Sequence, residues 1–91
     1  MNAVVNDILS VCNNIGIDEK TGHLTFAGRD TVLLAGKYGT PLYLLDEAYI
    51  RNMCRMYREA MKEAFGGLSK PMFASKALSF KRIYQIIAEE G

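Results

Sequence analysis

Apolar residues recur at helical spacing over three stretches of this chain and run or alternate at strand spacing over three shorter ones. The clearest stretch is 47–65, EAYIRNMCRMYREAMKEAF, where Ile50, Met53, Cys54, Tyr57, Met61 and Ala64 fall on one stripe. Arg51, Arg55, Arg58, Glu59 and Lys62 fall mostly opposite. The spacing therefore predicts an amphipathic helix with an Arg55–Glu59 pair one turn apart and a stop at Gly66 and Gly67. A second helix is predicted over 79–90, SFKRIYQIIAEE, with Ser79 as N-cap and Phe80, Ile83, Tyr84 and Ile87 on one face. Residues 2–15 carry a weaker version through Val4, Val5, Ile8, Leu9 and Cys12, ended by Asn13, Asn14 and Gly16.

The strand-like stretches are 22–28 (GHLTFAG), 41–45 (PLYLL) and 71–76 (PMFASK). Gly22 and Gly28 bracket the first, and Leu24 and Phe26 share a face. Pro41 stands at the first position of the second, where a missing N–H is tolerated. Between them Asp30 reads as the N-cap of one or two helical turns stopped by Gly36 or Gly39, and Asp46 is placed to cap the helix at 47–65. From 41 onward the order is strand, helix, strand, helix. That alternation predicts an α/β chain with parallel pairing. A parallel sheet needs both faces covered. Two βα pairs neither close a barrel nor fill a doubly wound sheet, so the chain reads as the front piece of something larger.

Composition narrows the function classes. At 91 residues one modest domain is the ceiling, and 49% hydrophobic with 23% charged residues is ordinary globular usage. The formal net charge of +1 and the lack of a dense basic block argue against nucleic acid and anionic membranes as partners. No apolar run approaches the ~20 residues of a membrane helix, and the N-terminus lacks a signal-peptide pattern. Cys12 and Cys54 match no metal or redox spacing; buried free thiols and a cytoplasmic location are the simplest reading. The one histidine, His23, reads as a surface or strand-edge residue.

Lys76 is the candidate for chemistry. At strand spacing Met72, Ala74 and Lys76 share a face, with the lysine at the C-terminal end, where βα barrels carry their active-site loops. A lysine amine does covalent work by condensing with a carbonyl, once burial or a neighbouring cation lowers its pKa. Equally, a lone lysine at a strand end is commonly solvated, its stem lying over apolar surface. Spacing alone leaves both readings open.

Two motifs in order carry a resemblance. YGTPLYLLDEAYIR (38–51) and FASKA (73–77) closely resemble the diaminopimelate decarboxylases of the pyridoxal-phosphate-dependent, alanine-racemase-like barrel family. GHLTFAG resembles the strand that joins that family's separate β-domain, so the likeness covers about residues 22–91. The resemblance implies that residues 1–40 contribute to a β-domain and 41–91 begin a (β/α)8 barrel of TIM type. It implies that Lys76 holds pyridoxal 5′-phosphate as an aldimine, with Ala74 the small residue beneath the cofactor. It implies decarboxylation of meso-2,6-diaminopimelate to L-lysine and CO2 by a homodimer, with no metal. Leu78 departs from the Asn that many relatives carry after Lys-Ala, which bears on local cofactor contacts. The phosphate loop, the carboxylate for the pyridine nitrogen and the partner-subunit residues are missing, so the fragment is expected to be inactive alone. The alternatives are a cofactor carrier or another decarboxylase of the same fold, or a small non-enzymatic interaction module.

Overall fold

The structure, a computed structural model, describes residues 11–91. Most of the helix expected over 2–15 lies outside the described residues. The chain divides after Asp46 into two units, taken here in turn.

The first unit is built on a small antiparallel sheet, in the order β1 (Ile15–Ile17), β2 (Leu24–Phe26), β3 (Arg29–Asp30). The predicted strand at 22–28 is β2. Its partner β1 begins at Ile15, a residue assigned from sequence to the end of a helix; Asn13 and Asn14 instead form a turn leading into the strand. Ile15 opposes Phe26 and Ile17 opposes Leu24, an apolar cross-strand face of the kind that stabilises sheets. Ala27 and Gly28 form the two-residue connection from β2 to β3, both at positive φ (52° and 76°), as a primed hairpin turn requires.

Asp30 then starts α1 (Thr31–Tyr38) as predicted, its carboxylate accepting from the N–H groups of Val32 (2.8 Å) and Leu33 (3.1 Å). Gly39, at φ 83° and ψ 175°, ends the helix, and its N–H donates to the Ala35 carbonyl. Residues 41–45 do not form the expected strand. The Asn14 side-chain amide donates to Asp46 Oδ2 at 3.3 Å, holding the end of this segment beside the entry to β1.

The second unit contains α2 (Glu47–Phe65), a 3-10 turn (Ser75–Ala77) and α3 (Lys81–Glu90). α2 has the predicted bounds, and Ile50, Met53, Cys54 and Met61 of its stripe are half-buried, whereas Tyr57 is exposed. Gly66 ends it at φ 86°. Ser69 folds the following turn back on the helix, its hydroxyl within reach of the carbonyls of Met61 (3.0 Å) and Gly66 (2.7 Å). α3 packs against α2 with Ile83 and Ile86 each 3% exposed, the buried apolar residues among those described. α3 starts later than expected, with Phe80 and not Ser79 at the N-cap position. The Ser79 hydroxyl is taken up by Tyr84 Oη at 2.7 Å and so caps nothing.

Ion pairs reveal the direction of the two helices. Arg82, near the start of α3, reaches Glu47 at the start of α2 (2.9 Å). Glu90, at the end of α3, meets Arg55 further along α2 (2.8 and 2.9 Å). The helices therefore run parallel. Two helices joined by a tight turn would be antiparallel. Here residues 66–80 must carry the chain back along a 19-residue helix, a rise of about 28 Å at ~1.5 Å per residue. This is a crossover, the kind of connection that βα units use.

The expected parallel pairing is absent: among the described residues every strand pair is antiparallel, and neither 41–45 nor 71–76 is a strand. The physical reason is that parallel strands are stable in multi-stranded sheets covered on both faces, and two stretches of five or six residues supply neither. The chain is thus mixed α and β, with a small antiparallel sheet and helices.

Candidate functional site

The crossover carries the FASKA motif. Ala74 stands before the 3-10 turn in an extended conformation, and the N–H of Ala77 closes the turn on the Ala74 carbonyl at 3.1 Å. Lys76 lies in the middle of this turn, not at the end of a strand, and both it and Ala74 are exposed. The shared strand face expected for Met72, Ala74 and Lys76 is lost with the strand. Met72 is 91% exposed, and Phe73 and Leu78 are each 41% exposed. Lys76 precedes the first residue of α3 by five positions along the chain.

The fit to pyridoxal phosphate can be judged from these residues. A primary amine in open reach is one requirement, and Lys76 meets it. The described residues leave that side chain exposed, without a desolvating wall. A polar groove of this unit lies elsewhere, among Arg58, Lys62, Lys70 and the turn at 67–69, and Lys76 and Ala74 do not line it. The described residues therefore do not by themselves make a cofactor site.

The strongest electrostatic feature is a cluster that sequence reading missed. Arg51 donates to Glu47 (2.8 and 3.0 Å), Glu89 (2.6 Å) and Glu90 (3.0 Å). Arg55 grips both oxygens of Glu90, and Arg58 donates to the Glu90 carbonyl. Arg55 thus pairs across the helices and not with Glu59 one turn on. Glu90 is 9% exposed, and its carboxyl is held below the usual range first by Arg55 and then by Arg51. Glu47 is lowered likewise, by Arg51 and then Arg82. The arginines rise in return, Arg51 chiefly through Glu89 and Arg55 through Glu90. The charged side of α2, read from sequence as lying opposite the apolar stripe, is in this part a seam with α3.

In the first unit His23 Nδ1 lies 2.8 Å from Asp30 Oδ2, leaving Oδ1 to cap α1. That hydrogen bond is the main cause of a lowered Asp30 pKa. The half-buried His23 has a partner, and the pair ties the residue that precedes β2 to the cap of α1. Cys12 and Cys54 are free thiols, half-buried where full burial was expected. No helix among the described residues is long and apolar enough to cross a membrane.

The known proteins to which the chain is similar are of one class, the decarboxylases. A protein of Bacillus methanolicus is 44% identical over 75 residues, covering 82% of this chain and 17% of its own length. One of Bacillus subtilis (strain 168) is 43% identical over 70 residues, covering 77% and 16%. One of Mycobacterium leprae (strain TN) is 36% identical over 90 residues, covering 94% and 18%. All three are diaminopimelate decarboxylases, and over the stretch it spans the chain resembles them, as the motifs at 38–51 and 73–77 implied. The chain spans about one-sixth of the length of these curated relatives. No family model matches the chain, and no solved structure matches it significantly.

Proposed function

We propose that this chain supplies the lysine-bearing segment of a diaminopimelate decarboxylase. In this reading the complete enzyme removes CO2 from meso-2,6-diaminopimelate and leaves L-lysine, in the cytoplasm, as a homodimer. Residues 41–91 would begin its barrel, and residues 1–40 would contribute to a separate β-domain. Lys76 is the residue by which this chain would hold pyridoxal phosphate, with Ala74 as its small neighbour. The remaining cofactor contacts would come from parts of the relatives that this chain does not span. By itself the chain would release no CO2.

The observation that carries the reading is the crossover. A lysine inside a matched motif lies on the return segment between two parallel helices, close to where the second begins. In a complete βα array that return segment is where a strand runs, and the end that feeds the next helix lies on the active-site face. Residues 72–74 lead into the turn unpaired and exposed, with the apolar side chains Met72 and Phe73 open to pairing and cover.

A chimera tests this. The chain replaces the matched residues of the Bacillus subtilis relative, and CO2 release from meso-diaminopimelate is measured. The reading expects activity in the chimera and its loss in the Lys76→Ala form. Equal activity in the two would refute the role of Lys76; a folded but inactive chimera would refute the assignment to this reaction.

A further inference from the structure

Burial of apolar surface has no direction, so Ile83 and Ile86 do not by themselves decide which way α3 lies on α2. The charges do discriminate. In the observed direction Arg82 meets Glu47 at one end, while Glu89 and Glu90 meet Arg51 and Arg55 toward the other. Turned end for end over the same stretch, Glu90 would face Glu47, and Arg82 would face Arg55 and Arg58. The end contacts Arg82–Glu47 and Arg55–Glu90 would both become like-charge contacts, the repulsive element by which pairings are specified, while Arg51, midway along the stretch, would keep acidic neighbours. Glu90 adds geometry to charge. Its carboxylate takes a two-point grip from Arg55, its carbonyl accepts from Arg58, and it is nearly buried.

We infer that the Glu47–Arg51–Arg55–Arg82–Glu89–Glu90 seam specifies the parallel direction of α2 and α3 and so holds residues 66–80 in a crossover. Arg51 and Glu90 are positioning residues, which act on the Lys76 turn only through the helices. The inference does not depend on the decarboxylase reading.

Paired spin labels on the full chain test it, in a Cys12→Ser, Cys54→Ala background. Labels at 48 and 81 report the two helix starts, and labels at 64 and 81 report opposite ends. In the parallel form the first distance is short, and 16 residues of α2 add about 24 Å of axial offset to the second. Reversing the charges of α3 (Arg82→Glu, Glu89→Lys, Glu90→Lys) should abolish the sharp short distance at 48–81. Reversing α2 as well (Glu47→Arg, Arg51→Glu, Arg55→Glu) should restore it. A sharp 48–81 distance in the singly reversed chain would overturn the inference. So would failure of the doubly reversed chain to recover that distance, whether it folds or not.

Discussion

The second unit rests on two isoleucines, which makes Ile86→Ala the most informative single change to its stability. The substitution removes three carbons from a side chain only 3% exposed. At ~0.8 kcal/mol per buried methylene this loses about 2.4 kcal/mol, and incomplete collapse of the vacated space brings the total to roughly 3 kcal/mol. The unit has about 45 residues, and at ~0.05–0.15 kcal/mol per residue its whole stability is on the order of 2–7 kcal/mol. The variant should therefore keep at most about 4 kcal/mol at 25 °C and, at the low end of that range, should be largely unfolded. Urea titration followed by circular dichroism at 222 nm reads this through α2 and α3. With a slope of about 1 kcal/mol/M, the midpoint should fall by about 2–3 M or the cooperative transition should vanish. Ile86→Val should lose about 1 kcal/mol and stay folded. Met56→Ala, at a side chain 54% exposed, should change little, within ~0.5 kcal/mol. If Ile86→Ala behaves like Met56→Ala, the helix pair has no core and the packing described here is wrong.

Other expectations follow from the turns and the seam. Ala27 holds a positive φ in a hairpin turn that favours Asn, so Ala27→Asn should stabilise the first unit by ~0.5–1 kcal/mol in thermal unfolding. Gly39 occupies a φ/ψ region open essentially to glycine alone, so Gly39→Ala should cost about 1–3 kcal/mol by the same assay. Ser69→Ala removes the hydroxyl tie to the end of α2 and should cost ~0.5–1.5 kcal/mol, with faster amide exchange at 66–69. The lowered pKa values of Glu47 and Glu90 mean that their folded forms bind protons less readily than the unfolded chain. Their stabilisation is therefore complete above the unfolded carboxylate value of about 4.3 and is lost as pH falls through the folded values. Urea midpoints of the helix pair should be level from about pH 6 to 8 and fall below that unfolded value, and Glu90→Gln should flatten the acid limb.

What could be read from the sequence was local. The α2 stripe was legible because helical periodicity is a short-range pattern, and Asp30 was legible because a cap lies two or three residues from the N–H groups it satisfies. The seam was not. Arg51 and Arg55 lie 35–39 residues from Glu90, and their pairing depends on helix direction, which periodicity does not encode. The same limit hid His23 and Asp30, because their contact follows from the pairing of β2 with β3, and the sequence reading had no β3. The strands at 41–45 and 71–76 were overread for a related reason. Apolar, β-prone residues show a capacity to pair, while a strand needs a neighbour. Lys76 was found through its motif, and the motif says nothing of whether the surrounding residues are on hand to enclose it.

The central claim is that Lys76 is the amine this chain brings to the cofactor. The most direct measurement is borohydride reduction of the active chimera loaded with pyridoxal phosphate, followed by peptide mass mapping. The account predicts one stoichiometric pyridoxyl group, on the peptide that contains Lys76. A label on a different lysine of the chain, or a folded and active chimera with Lys76 unmodified, would contradict it.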